Sequence, residues 1–146
     1  MISIDSNLLL YSFAAASPFH GSSLRFIETL DQRDDVALSE LVLVELYTLL
    51  RNPAVLESPL GAAEAAHVVQ TYRRHPRWMC LGFASDDRST HDELWAMAAT
   101  TSFARRRIYD ARTALSLRRQ GVTEFATANV KDFEDLGFER VWNPIG

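Results

Sequence analysis

Four short stretches of the sequence place oxygen-bearing side chains where apolar segments end or helical patterns open. Asp5 follows MISI directly. Glu45 stands inside VLVELYTLLR. Asp110 stands in RRRIYDARTALSL, and ATANVKDF offers Thr127, Asn129 and Asp132. Carboxylates that share a pocket repel one another unless a cation neutralises them or a proton is retained at a raised pKa. A hard divalent cation takes oxygen ligands, often only one or two carboxylates, and fills its remaining positions with water and substrate phosphate. If these acids converge, such an ion or a shared proton must accompany them.

Each acid also has a plainer explanation. Asp5 can cap the helix that follows it. Asp110 can open a helix or pair with Arg106, Arg107 or Arg112. The ATANVKDF group can form an Asx turn. Glu45 is harder to place, because Leu41, Val42, Leu43, Val44, Leu46, Leu49 and Leu50 surround it. On a helix they leave almost no polar face, and a charged carboxylate there costs several kcal/mol unless compensated. Arg51 is outside helical pairing distance. The alternatives are an acid at the helix edge or one paired with a distant arginine.

The positioning elements follow from pattern and punctuation. MISI (1–4), VAL (36–38), WMCLGF (78–83), EFATA (124–128) and RVW (140–142) read as short strands. Between them, helices are expected over NLLLYSF, 17–32 with Ser17 as cap, the stretch from Ser39 to Asn52-Pro53, 58–75, 89–107 and 111–120, the last stopped by Gly121. Strands that alternate with helices predict an α/β fold: three layers, α/β/α, around a central parallel sheet of about five short strands, forming a single domain over 1–146. Ligands in such folds bind beyond the carboxyl ends of the strands. Asp5 and the 127–132 group both follow strands, so both are expected at that edge.

Composition narrows the classes. Nineteen acids against 15 Lys+Arg give a net charge of −4, which argues against a generally basic nucleic-acid coat but leaves local basic patches open. The lone Cys80 excludes an internal disulfide and a cysteine-rich metal site. The opening residues read as neither signal peptide nor membrane span, so a cytoplasmic protein with no membrane partner is expected.

The ordered set MISIDSNLLLYSF, SELVLVELYTLLR, IYDARTALSLRRQGVTEFATANVKDF and GFERVWNP resembles PIN-domain ribonucleases, and among them the VapC-type toxins of toxin–antitoxin pairs. The resemblance implies an endoribonuclease dependent on Mg2+ or Mn2+, with Asp5, Glu45 and Asp110 as the acidic, metal-holding set. It also implies a fourth position within ATANVKDF. Here the residue two after Thr127 is Asn129, and Asp132 follows three later, so either can fill it. Thr127 is expected to orient an acid through its hydroxyl, and Ser6 and Asn7 to support Asp5 by hydrogen bonds. Arg112 and Arg107, close to Asp110, are the expected phosphate contacts on the RNA substrate. A cognate antitoxin and a homodimer are the implied partners.

Two other classes compete. A phosphatase with an aspartyl nucleophile usually has a second Asp two residues after the first; that place is Asn7, and no Lys precedes Lys131. A PIN-like module that binds RNA or protein without cutting is the other, and Asn129 is the feature that allows it.

Overall fold

Three residues of each apolar run suffice to make a strand. The computed structural model describes residues 1–146. Its strands are β1 (Ile2–Ile4), β2 (Ala37–Ser39), β3 (Met79–Leu81), β4 (Glu124–Ala126) and β5 (Arg140–Trp142). Every pairing is parallel. The ladder divides into β1-β4-β5 and β2-β3, and a parallel bridge from Ile2 to Val36 joins the two parts. β1 is therefore central, with β2 on one side and β4 on the other.

Side-chain alternation explains the two covering layers. Ile2, Ile4, Leu38 and Ala126 share one core with α1 (Ser6–Phe13), α2 (His20–Leu30), α3 (Glu40–Leu50) and α4 (Ala62–Arg73). Ala37 and Phe125 point the other way, into a second core with α5 (Asp87–Ala98) and α6 (Arg107–Arg119). Phe125 is fully buried, with the rings of Phe133 and Phe138 at 4.5 and 5.2 Å. That stack holds the segment after β4 against the sheet.

The caps account for most helix boundaries. Ser39 Oγ accepts from the Leu41 N–H at 3.1 Å and starts α3 where its sequence position predicts. Gly121, at φ +94°, takes the left-handed conformation that ends α6. Other boundaries shift. Ser17 caps a tight turn through Phe19, so α2 opens at His20 rather than at 17. The expected helix over 89–107 stops at Ala98, and α6 begins at Arg107 rather than at 111. Leu8, Leu9 and Leu10 lie in the core, whereas most of the Ala-rich stretch 62–69 is exposed. No helix is long and apolar enough to cross a membrane.

Candidate active site

Strand register brings the first acid to its partner. Ile4 pairs with Ala126, so the next residues, Asp5 and Thr127, stand side by side at the sheet's carboxyl edge. The Asp5 N–H donates to the Ala126 carbonyl at 2.9 Å. Thr127 is completely buried, and its hydroxyl donates to Asp5 Oδ2 at 2.6 Å. The Ser6 N–H donates to Oδ1 at 2.7 Å, so Asp5 also caps α1. Asn7 Nδ2 donates to Oδ2 at 3.3 Å, while Asn7 Oδ1 accepts from the Ala128 N–H at 3.2 Å. Asp5 is thus a cap and a fixed acid at once; the two explanations do not exclude each other.

Connectivity supplies the other walls. α3 follows β2 and leads away from the same edge, carrying Glu45. α6 runs back toward the start of β4, so its first turn, with Asp110, lies at that edge too. A 3-10 turn, Val130–Asp132, follows β4 and adds Asn129 and Asp132. Its anchor is Phe133, which is buried against Phe125, while Asp132 beside it is exposed. Together these residues line one cleft of about 810 Å³, which Asp5, Ser6, Asn7, Glu45, Asp110, Arg112, Asn129 and Asp132 all reach.

The acids feel one another. Burial and the charge of Glu45 push the Asp5 carboxyl up to about 6, against the opposing hydrogen bonds from Thr127 and Ser6. Asp110 is pushed up to about 7, first by burial and then by the charges of Asp5, Asp132 and Glu45, with Arg107 opposing. Asp110 is the less buried of the two, yet it shifts further. It has three acidic neighbours and none of the donors that hold Asp5.

The donor set fits a hard cation. The cleft offers carboxylate and amide oxygens and no cysteine or histidine. No three Asp, Glu, His or Cys side chains close into a ready cage around one point. An open set agrees with a small divalent ion that is held by one or two carboxylates and otherwise by water and substrate.

Two expectations change. Glu45 is not trapped on an all-apolar helix: α3 turns Val44, Glu45 and Thr48 outward and buries Val42, Leu43, Leu46 and Leu50. The burial penalty inferred from its neighbours therefore does not apply, and Glu45 reaches the cleft from its open side. Arg107 lies outside the lining. It pairs with Asp135 and sits over the Phe103 ring, because the first helical position points about 100° away from the cleft face. Arg106 takes that place instead, with Tyr109 and Thr113 also in the lining. The spacing 106, 109, 110, 113 is one helical face and was present in the sequence, but the helix start misplaced at 111 concealed it. Arg112 lines the cleft, and its Nε is buried without a hydrogen-bond partner.

Comparison with known proteins places the chain by family and fold. The family model described as PIN domain matches residues 2–139. Ribonuclease VapC24 of Mycobacterium tuberculosis, from strains H37Rv and CDC 1551, is 50% identical over 145 residues, spanning 99% of this chain and 97% of the relative. The fold is shared with Mycobacterium tuberculosis VapC20, a sarcin-ricin loop cleaving toxin, at TM-score 0.67, 19% identity and coverage of 94% and 96% of the two chains. It is shared as well with a chain of the VapBC2 complex of Rickettsia felis bound to promoter DNA, at TM-score 0.66, 17% identity and 98% coverage of each. PIN-domain ribonucleases depend on divalent metal. On its fold and its match along nearly the whole length, the chain belongs to the PIN domain family, among the VapC ribonucleases.

Proposed function

We propose that this chain, acting as one domain over 1–146, is a Mg2+- or Mn2+-dependent endoribonuclease and the toxin of a type II toxin–antitoxin pair. One observation supports the reading: acids from four separate segments face a single cleft, where burial and then their mutual repulsion lift Asp110 to about 7. Asp5, Glu45 and Asp110 are the residues that would hold the cation, one or two of them directly and the rest through water, and Asn129 or Asp132 would add a further oxygen. When bound, the cation supplies the positive charge that polarises a phosphodiester and favours attack by water.

The chain's own residues do the positioning. Thr127, Ser6 and Asn7 keep Asp5 in one orientation, so little reorganisation is needed when substrate arrives. Arg112 and Arg106 bring positive charge to a cleft that is otherwise acidic, where RNA phosphates must approach. The exposed Ala-rich side of α4 and a groove of about 250 Å³ between α3 and α4, lined by Leu43, Val44, Tyr47 and Val69, offer apolar contact area for a cognate antitoxin. A homodimer in the cytoplasm is the working unit of this reading.

The experiment is cleavage of structured RNA by the purified chain. Fragments are expected with Mg2+ or Mn2+, none with EDTA, and recovery on adding excess cation. RNA that is bound yet stays whole with either cation would instead make the chain a non-catalytic PIN-like module.

Thr127→Val tests the positioning of Asp5. The variant keeps shape but removes the hydroxyl that lowers the Asp5 pKa. Cleavage is expected to fall by about 10–100-fold, and the acid limb of the pH–rate profile to move upward. An unmoved profile with wild-type rate would show that the Thr127 hydroxyl does not matter to Asp5.

A further inference from the structure

The first turn of α6 turns an aromatic ring toward the cleft, and the reading above leaves it unused. Tyr109 is 63% exposed and lines the cleft beside Asp110 and Arg106. The other exposed aromatic side chains, Phe13, Phe19, Phe83 and Trp95, do not line it. The Tyr109 ring stacks on no other aromatic side chain and lies under no guanidinium. An exposed ring that lines a cleft and has no partner within the chain is free to take one from a ligand.

Helix geometry fixes what stands around the ring. Arg106, Tyr109, Asp110 and Thr113 recur at i, i+3, i+4 and i+7, so cation, ring and acid share one face of α6. Tyr109 and Asp110 are neighbours in the chain and line the same cleft, so a phosphate held near Asp110 brings its flanking nucleotides to the wall that carries Tyr109. Grooves that combine positive charge with free aromatic rings hold single strands by base stacking. RNA bases reach such rings only where they are unpaired and splayed out.

We propose that Tyr109 is the stacking platform for an unpaired base next to the scissile phosphate. This proposal rests on the ribonuclease reading. Tyr109 acts on binding and not on the bond that breaks, so its loss is expected in KM and not in kcat.

The test compares wild-type, Tyr109→Ala and Tyr109→Phe chains on one cleavable oligoribonucleotide. A matched series carries a single abasic residue at successive positions around the cut. Tyr109→Ala is expected to raise KM on the order of 10-fold, with Tyr109→Phe close to wild type. One abasic position should reproduce that rise in the wild-type chain and add nothing further in Tyr109→Ala. If the effects of Tyr109→Ala and of every abasic position simply multiply, no base stacks on the ring and the proposal fails. That comparison also removes a merely misfolded variant, which loses activity equally on all substrates. Tyr109→Phe behaving like Tyr109→Ala would assign the effect to the hydroxyl and overturn stacking. No cleavage by the wild-type chain overturns the ribonuclease reading and this proposal together; normal cleavage indifferent to Tyr109 overturns this proposal alone.

Discussion

Asp5→Asn is expected to reduce RNA cleavage by about 10³-fold or more, a loss of several kcal/mol in transition-state stabilisation. The substitution keeps the size of the side chain and removes its charge. Asn caps helices about as well as Asp, so α1 should keep its start. The Thr127 hydroxyl still finds an oxygen or nitrogen in place of Oδ2. Folding should therefore survive, with circular dichroism unchanged and Tm at neutral pH raised rather than lowered, because the strained charge is gone. Activity close to wild type in a folded Asp5→Asn chain would remove Asp5 from the reaction.

The second large effect is on stability. Asp5 and Asp110 have ordinary values of 3.8 when unfolded and about 6 and about 7 in the fold. Between those limits the folded chain binds more protons than the unfolded one, so stability falls as pH rises from about 4 to about 7 and then levels off. Asp5, which is buried, contributes up to about 3 kcal/mol to this decline. Asp110 contributes less, because it is only half-buried and solvent screens its neighbours' charges. In the absence of divalent cation, Tm should drop by roughly 5–10 °C between pH 5 and pH 8. Saturating Mg2+ should raise Tm at pH 8, where the acids are ionised, and have little effect at pH 5. Differential scanning calorimetry at the two pH values, with and without the ion, checks both statements. A Tm that is flat with pH and indifferent to Mg2+ would mean that the acids do not strain the fold. Asp110→Asn should flatten the pH dependence in part.

Much of this was legible in the sequence because two periodicities carry it. Short apolar runs alternating with helical patterns specify a parallel sheet, and a parallel sheet specifies the edge at which Asp5 and Thr127 must meet. The central place of β1, between β2 and β4, comes from the structure, because alternation alone does not set strand order. Where the structure departs from the pattern, the causes are local. Glu45 reads as buried only if Val44 and Leu49 belong to the core, yet Val44 is 65% exposed and both line the cleft. A string of apolar residues on a helix does not say which of them the core accepts. The true start of α6 was hidden because 99–106 has no Pro or Gly to mark a break and its arginines suit a helix. Once the start is misplaced, the face that carries Arg106 and Tyr109 cannot be seen, and Arg107 draws attention instead.

A Mn2+ titration followed by electron paramagnetic resonance reads whether the cleft acids jointly retain a divalent ion. The wild-type chain should bind one or two Mn2+ at pH 7.5, and the folded Asp5→Asn/Asp110→Asn double variant should bind at least about 10-fold more weakly. Equal Mn2+ affinity in the two chains would contradict the account.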